Sequence, residues 1–500
     1  MKEKKILRVR LYYMIFICLI TLNSCNDDLE EELKGQLSES SISTESDATA
    51  LIDGVYNGFL AGGWDYYASG ELARVTDGIT DVFVLNDSKY RNIETYNWTD
   101  ENIASELWAS IYTVVDRANW AILLIEGINE SAFRTATKEQ LIAEARFLRG
   151  LAYFDLTGLF GDVPLKLEPT KSDEVGLPRT DVNLVYEQIE ADFEYASIHL
   201  PGRSGTPGKA SKGAAYGLLA KTQLRQLKWE LAEDNIDKLI ALGEYNLFTE
   251  DNFLKLFYES NVLDDEFIFS ILSLGESYSV ASNHHLKFFT PWGYDTGWAT
   301  VGLPVEIYNE MEPGDERSEV YLQEYPYLYG GAIKDAIDDF GFVINRKFGT
   351  FNRDVTSPGT GTSAAYRNYG ISKMGVPVLR YADVLLLKAE IENELNGPTD
   401  IAYDAINEVR NRSGLSDLTD GLSKEAFRSA VLNERAIELA AEGHRKDDLI
   451  RQGVFVSKLN QYVQDQGYSV TITDDYKLMP IPRTELDLNP NMEPNPSNNF

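Results

Sequence analysis

Apolar residues recur at helical spacing over much of the chain, and this periodicity constrains the fold more than any other feature. Between residues 139 and 159, Leu141, Ala145 and Leu148 fall on one stripe while Glu139 faces elsewhere, the pattern of a helix with one buried face. The same period recurs in the stretches 182–200, 210–227, 229–242, 380–396, 400–413 and 424–442. The sequence therefore predicts a mainly α fold.

Two of the predicted helix pairs have small residues at nearly the same spacing. The first pair has Ala220 and Ala232, and the second has Ala389 and Ala402. Small side chains let two helices approach closely, as in a tetratricopeptide unit, although two separated pairs do not form a regular array. We predict tetratricopeptide-like hairpins in the scaffold, and two ordinary helical hairpins are the alternative.

An aromatic-rich region separates the two pairs. Residues 288–370 hold 16 aromatic residues in 83 positions (16/83, 19%), against 11% for the whole chain. Helical periodicity is poor there, and only short pieces such as 340–344 resemble strands. A long irregular excursion from a helical scaffold usually carries function, so we expect ligand binding in this loop-rich part.

The N-terminus has the pattern of an export signal. Five basic residues precede an apolar run over 11–22, which is too short to span a bilayer, since that needs about 20 residues. The run ends in Leu22-Asn23-Ser24-Cys25, which is typical of bacterial lipoprotein processing. We predict a signal peptide over 1–24 and lipid attachment at Cys25. An ordinary signal peptide with an unpaired thiol is the alternative.

The formal net charge of −33 argues against nucleic-acid binding, because phosphate recognition needs a basic face. The acidic, polar stretch 25–46 is predicted to be a lipidated flexible tether. Residues 47–500 are predicted to form a single domain. Its predicted parts are a helical scaffold over about 47–245 and 376–460, a loop-rich excursion over about 246–375 and an extended tail over 468–500.

Motifs for catalysis and metal binding are sparse. The four histidines lack zinc-site spacing, and the chain has neither a Gly-x-Ser-x-Gly elbow nor a phosphate-binding loop. We predict no catalytic residue, no metal ligand and no cofactor. A glycosidase needs only two carboxylates, and among 79 acidic residues neither such a pair nor a calcium site stands out.

Aromatic residues beside glycines and polar residues are the better signal, because the flat faces of sugar rings stack on Trp and Tyr while sugar hydroxyls bind polar groups. Eight residues are the candidate ligand contacts: Trp64, Tyr66, Tyr67, Trp98, Trp292, Tyr294, Trp298 and Tyr327. Core packing is the alternative for each, because burial is the default for such side chains in a protein of this size.

Several sequence blocks carry a family resemblance. They are Glu144-Ala145-Arg146-Phe147-Leu148-Arg149-Gly150 running on to Pro164, Arg380-Tyr381-Ala382-Asp383 running on to Glu390, the stretches 405–412 and 434–445, and the Pro- and Asn-rich stretch 478–496. Together they resemble the SusD/RagB family of surface nutrient-binding lipoproteins of Bacteroidetes. The sequence departs from the family pattern at Lys446-Asp447, where two aromatic residues are usual, and we expect looser packing there.

The resemblance implies a SusD-like α-helical scaffold with a loop-rich, aromatic-rich ligand-binding part and minor β structure. It implies a non-catalytic lipoprotein of the outer membrane, facing the cell exterior, that binds oligosaccharides or polysaccharides. The implied partner is a SusC-like TonB-dependent transporter. Ligand residues differ between family members, so the eight aromatic candidates rest on local chemistry alone. A surface glycosidase, or a peptide-binding or protein-interaction scaffold of the same architecture, is the alternative.

Overall fold

The computed structural model describes residues 42–497, apart from 61–65, 68–69, 88–89, 99–101, 171–175, 207, 251, 273–285, 290, 292–297, 328–331 and 349–374. The predicted signal peptide, Cys25 and most of the predicted tether lie outside the described residues. Residues 43–500 make up one compact unit.

The helices of the described part follow the apolar periodicity of the sequence. They are α1 (Glu45–Gly58), α2 (Glu71–Thr76), α3 (Arg91–Glu94), α4 (Asn102–Gly127), α5 (Lys138–Phe160), α6 (Val182–His199), α7 (Lys212–Arg225), α8 (Trp229–Ala241), α9 (Leu286–Phe289), α10 (Val305–Asn309), α11 (Ala336–Phe340), α12 (Tyr381–Asn396), α13 (Asp400–Arg412), α14 (Lys424–Glu438), α15 (Arg445–Arg451), α16 (Phe455–Asp465) and α17 (Arg483–Leu488). Within this part of the chain, no helix has the length and apolar content needed to cross a membrane. The predicted mainly α fold is confirmed.

Short polar side chains set the starts of the scaffold helices. The N-caps of α5, α6, α7, α13 and α14 are Thr137, Asp181, Ser211, Thr399 and Ser423, whose side-chain oxygens accept a hydrogen bond from a backbone N–H of the first turn. These bonds satisfy donors that have no partner within the helix. Six of the seven predicted helical stretches agree with the observed bounds to within two residues.

The seventh prediction, 424–442, is four residues too long, because α14 ends at Glu438. Lys347 Nζ donates to the carbonyl oxygens of Glu438 at 2.7 Å and Ala440 at 3.1 Å. These bonds give partners to carbonyl oxygens at and just beyond the helix end, which have none within the helix. Three residues after the end, Ala441 adopts a left-handed conformation with φ of 68°, which a continuing right-handed helix does not permit.

The scaffold is a continuous series of packed helices. Helix α4 packs on α5, α5 on α6, α6 on α7 and α7 on α8, and α8 then packs on α12, which contacts both α13 and α14. The hairpin α7–α8 therefore adjoins the hairpin α12–α13, although the whole excursion separates them in sequence. The buried small residues Ala220, Ala232, Ala389 and Ala402 permit this close packing.

Strands are few and short in the described part. They are β1 (Val84–Leu85), β2 (Phe267–Ile271), β3 (Val301–Gly302), β4 (Tyr321–Leu322), β5 (Glu324–Pro326), β6 (Ile333–Asp335), β7 (Ile344–Asn345) and β8 (Val376–Arg380). They pair antiparallel as β1–β3, β2–β8, β4–β7 and β5–β6. The β2–β8 pair brings the beginning and the end of the excursion side by side. The piece 340–344, which resembles a strand in sequence, contains the end of α11 and the first residue of β7.

A buried ionic network joins the excursion to the scaffold. Arg380, which is fully buried, binds the carboxylates of Glu266, Glu438 and Glu442. Lys347, from the excursion, also binds Glu442 at 2.8 Å. Each buried charge in this network is compensated by opposite charges at hydrogen-bond distance, which is the condition under which buried ions are tolerated.

A second buried cluster holds α7, α12, α14 and α15 together. Asp383 accepts from Lys221 Nζ at 2.9 Å and from Arg435 Nη1 at 2.7 Å. Arg435 Nε also donates to Asp448 Oδ2 at 2.9 Å, and Asp448 Oδ1 accepts from Arg451. Asp383 and Arg435, which belong to two of the family-like sequence blocks, therefore pair with each other at the centre of this cluster.

Polar contacts replace aromatic packing at Lys446-Asp447. Lys446 is buried, and its Nζ donates to the carbonyl oxygen of Gly158 at 2.6 Å. The Asp447 carboxylate binds the Arg225 guanidinium at 2.8 Å. Burial lowers the pKa of Lys446 to about 8. The departure from the family pattern thus ties α15 to α5 and α7 by hydrogen bonds.

Candidate functional site

Trp298 is the exposed aromatic side chain of the described part of the chain. Its exposed fraction is 48%, whereas the other aromatic side chains described are buried or partly buried. Trp298 lies in the aromatic-rich excursion, three residues before β3. A tryptophan that keeps about half of its surface in water has a ring face available for stacking against a ligand.

The backbone around Trp298 is fixed by hydrogen bonds. Thr300 N donates to the carbonyl oxygen of Phe288 at 2.8 Å, and Asn86 N donates to the carbonyl oxygen of Thr300 at 2.7 Å. Immediately afterwards, β3 pairs with β1 through Val301 and Leu85. The backbone that follows Trp298 is therefore hydrogen-bonded both to the short β1–β3 sheet and to α9.

The Trp298 ring rests on a layer of buried aromatic and charged side chains. The Phe288 ring lies edge-to-face with the Trp298 ring, with centroids 5.5 Å apart. Beneath Phe288, the buried Arg74 guanidinium lies 3.7 Å from the Phe288 ring centroid and 4.2 Å from that of Tyr90. Arg74 also forms an ion pair with Glu71. We call Trp298 with Phe288, Arg74, Tyr90 and Glu71 the Trp298 platform.

Tyr66 and Tyr67 lie in the interior, where both bind one carboxylate. Their hydroxyls donate to Asp155 Oδ2 at 2.6 and 3.1 Å, and both rings pack against Phe59. Neither ring presents a face to solvent in this arrangement. Their burial favours the core-packing alternative for these two residues.

Asp155 makes this interior cluster sensitive to pH. Burial raises the pKa of Asp155 to about 7, although the two tyrosine hydroxyls favour its charged form. The folded protein therefore holds a proton that the unfolded chain releases between about pH 4 and 7, so this carboxyl contributes stability at low pH that is lost as pH rises through 7. We expect the melting temperature of Asp155→Asn, relative to the parent, to rise between pH 5 and 8. A difference that stays constant over this range would contradict the buried, neutral carboxyl.

Trp98 and Tyr327 lie in two further environments. The Trp98 Nε1 donates to the carbonyl oxygen of Ile93 at 3.1 Å, and its buried ring packs edge-on against Tyr476 at 5.1 Å. Tyr327 is half-buried, packs against the cluster of Tyr325, and has Lys334 Nζ 4.6 Å from its ring centroid. Trp98 therefore serves the core, whereas Tyr327 keeps part of its ring accessible.

The remaining candidates, Trp64, Trp292 and Tyr294, lie outside the described residues, and they stay predictions. The structure adds Arg74, Tyr90 and Phe288, which the sequence did not single out. Arg74 and Tyr90 have no local signal, because neither belongs to a long periodic helix. Phe288 has only its place in the aromatic-rich excursion. In the part of the chain that is described, no three His, Cys, Asp or Glu side chains are grouped to hold a metal ion.

Comparison with known proteins identifies the fold. The structure matches that of a SusD homologue from Bacteroides thetaiotaomicron with a TM-score of 0.74 and 26% identity, covering 92% of this chain and 98% of that one. It also matches surface glycan-binding protein A from the same species in complex with laminarihexaose, with a TM-score of 0.74 and 19% identity over 91% of this chain and all of that one. The chain has the mainly α-helical SusD-like fold.

Sequence comparison extends this result to the family. A model described as the SusD family matches residues 342–497, and a model described as starch-binding and associating with the outer membrane matches residues 29–224. A SusD-like protein of Formosa agariphila is 27% identical over 96% of each chain. Together these matches confirm the resemblance to the SusD/RagB family that the sequence blocks carry.

Proposed function

We propose that the protein is a lipoprotein of the outer membrane that binds glycans at the cell surface without cleaving them and delivers them to a SusC-like TonB-dependent transporter. The observation that carries the proposal is the Trp298 platform, which offers an exposed indole on a buried aromatic base. Stacking of a sugar ring on this indole, with hydrogen bonds to nearby polar groups, would give micromolar to millimolar affinity, roughly −8 to −4 kcal/mol.

The names of similar proteins support glycan as the ligand class. One structural neighbour is described as a laminarin-binding SusD-like protein, another was solved with laminarihexaose, and one matching family model is described as starch-binding. These descriptions make laminarin and starch the first polysaccharides to test.

Native affinity electrophoresis of the mature chain, with Cys25 replaced, tests the proposal. Gels would contain laminarin, soluble starch or one of a panel of other polysaccharides, and each sample would be assayed for new reducing ends. We expect one polysaccharide to retard the protein without releasing reducing ends. Released ends would favour the surface glycosidase. Absence of retardation throughout the panel would favour the peptide-binding or interaction scaffold.

Cys25 carries the proposal of a lipid anchor. Two or more acyl chains, at about 0.8 kcal/mol for each buried CH₂, would hold a soluble domain firmly on a membrane. We expect Cys25→Ala to move the protein from the detergent phase to the aqueous phase in a phase-partition assay and to abolish incorporation of radiolabelled palmitate. A conservative Ser24→Ala change serves as the control. Continued labelling of Cys25→Ala would exclude this cysteine as the attachment site.

A further inference from the structure

Arg74 is a buried arginine whose guanidinium lies against two aromatic rings. Its side chain, on the short helix α2, is 1% exposed. The guanidinium carbon lies over the rings of Phe288 and Tyr90, 3.7 and 4.2 Å from their centroids. Nη2 is the nitrogen that bonds to the Glu71 carboxylate and to the Tyr90 hydroxyl. The cation thus lies close to two aromatic rings, and its hydrogen bonds to Glu71 and Tyr90 come from a single nitrogen.

Two buried nitrogens of Arg74 reduce the stability of the folded state in this placement. Nε and Nη1 have no hydrogen-bond partner in the described part of the chain, and buried donors without partners destabilise the folded state. Buried Arg149 of the scaffold instead pairs in a bidentate way with Asp192. What Arg74 gains is close contact of its guanidinium with two aromatic rings, and a lysine does not reproduce such a contact.

A second local feature lies directly beside Trp298. Ala299 is buried and adopts a left-handed conformation with φ of 48°. This conformation is unfavourable for a residue with a Cβ and persists only where the surrounding contacts determine it. The surrounding contacts therefore fix the backbone conformation next to Trp298, and the Trp298 ring contacts the Phe288 ring.

We propose that Arg74 is a positioning residue for ligand binding. Its guanidinium immobilises Phe288, and Phe288 together with the left-handed Ala299 holds the Trp298 ring in its exposed orientation before a ligand arrives. A ring that is already held in place loses less conformational entropy on binding. The role in affinity rests on the proposed glycan-binding function, whereas the effect on Trp298 does not depend on any ligand.

The ligand-free protein provides the first test, by fluorine NMR of the chain labelled with 5-fluorotryptophan. The chain has seven tryptophans, and the resonance missing from Trp298→Phe identifies Trp298. We expect Arg74→Lys and Phe288→Leu to shift or broaden the Trp298 resonance selectively. Arg149→Lys, which weakens a buried pairing elsewhere in the scaffold, should leave it at the parent position.

Selectivity distinguishes positioning from general destabilisation. If the Trp298 resonance stays at its parent position in folded Arg74→Lys, the proposal is overturned. Phe288→Leu removes the ring through which Arg74 acts, and an unmoved Trp298 resonance in that variant overturns the proposal if Arg74→Lys does not fold.

Binding provides the second test, using laminarin and soluble starch in affinity gels. We expect Arg74→Lys to weaken binding of the retarding polysaccharide about tenfold, and Arg149→Lys to leave it within twofold of the parent. Parent-like binding by Arg74→Lys overturns the role in affinity. If neither polysaccharide retards the parent protein, glycan binding of these two classes fails, while the NMR result still decides whether Arg74 positions Trp298.

Discussion

Replacing Arg380 with methionine is expected to lower the free energy of unfolding by about 3–5 kcal/mol, because removing one partner of a buried ion set leaves uncompensated charges. Arg380 compensates three buried carboxylates, on Glu266, Glu438 and Glu442. Methionine fills similar space but supplies no charge, so the three carboxylates lose a cation that pairs with all of them. Urea unfolding followed by far-ultraviolet circular dichroism measures the change.

An exposed arginine gives the matched control. Arg203 pairs with Asp265 at the surface, where both side chains remain substantially exposed, and exposed pairs contribute about 0–1 kcal/mol. Arg203→Met should therefore unfold near the parent urea midpoint. Equal stability of Arg380→Met and Arg203→Met would show that the buried network does not hold the excursion to the scaffold.

The same network predicts how the fold responds to acid. Burial raises the pKa of Glu438, but the nearby cations of Arg412, Arg380 and Arg317 outweigh burial and hold this pKa well below its ordinary value. A carboxyl whose pKa is lowered on folding contributes stability above its unfolded pKa, near 4.5, and this stability is lost as pH falls below that value. The stability contributed by Glu438 thus falls as the pH is lowered below about 4.5, whereas the stability contributed by Asp155 falls as the pH is raised towards 7.

Trp298→Ala is expected to weaken polysaccharide binding by about thirtyfold or more, since central aromatic anchors contribute about 2 kcal/mol or more when truncated. The indole is half exposed, so its removal should leave helicity and melting temperature close to the parent values. Affinity electrophoresis with the retarding polysaccharide, followed by titration calorimetry with an oligosaccharide of it, measures the loss.

Ile333 offers a comparison within the same excursion, because its side chain is also exposed, by 64%, on β6. Ile333→Ala removes exposed apolar surface on the β5–β6 pair, beside Tyr327 and not part of the Trp298 platform. It should bind like the parent if Trp298 is the anchor. Parent-like binding by Trp298→Ala would move the ligand site to the other aromatic candidates. Trp64→Ala, predicted from sequence to reduce binding, would then be the next variant.

Much of the scaffold could be predicted from the sequence. The apolar stripe that predicts α5 is a local property, because residues three and four apart lie on one face of a helix. The caps are local too, since Thr137 and Ser211 bond within their own first turn. The end of α14 could not be predicted this way, because the carbonyl oxygens of Glu438 and Ala440 accept hydrogen bonds from Lys347, which is distant in sequence.

Less of the candidate site than of the scaffold could be predicted from the sequence. The sequence by itself determined that aromatic residues beside glycine and polar residues concentrate in the excursion, since composition is a local property. It did not distinguish Trp98 from Trp298, because both stand in irregular segments with polar neighbours. The tertiary structure covers Trp98 with Tyr476 from the far end of the chain and leaves Trp298 exposed above Phe288. Helix formation depends on neighbours within a few residues and is encoded locally, whereas exposure depends on which distant segments pack against a ring, and that is decided only when the whole chain folds.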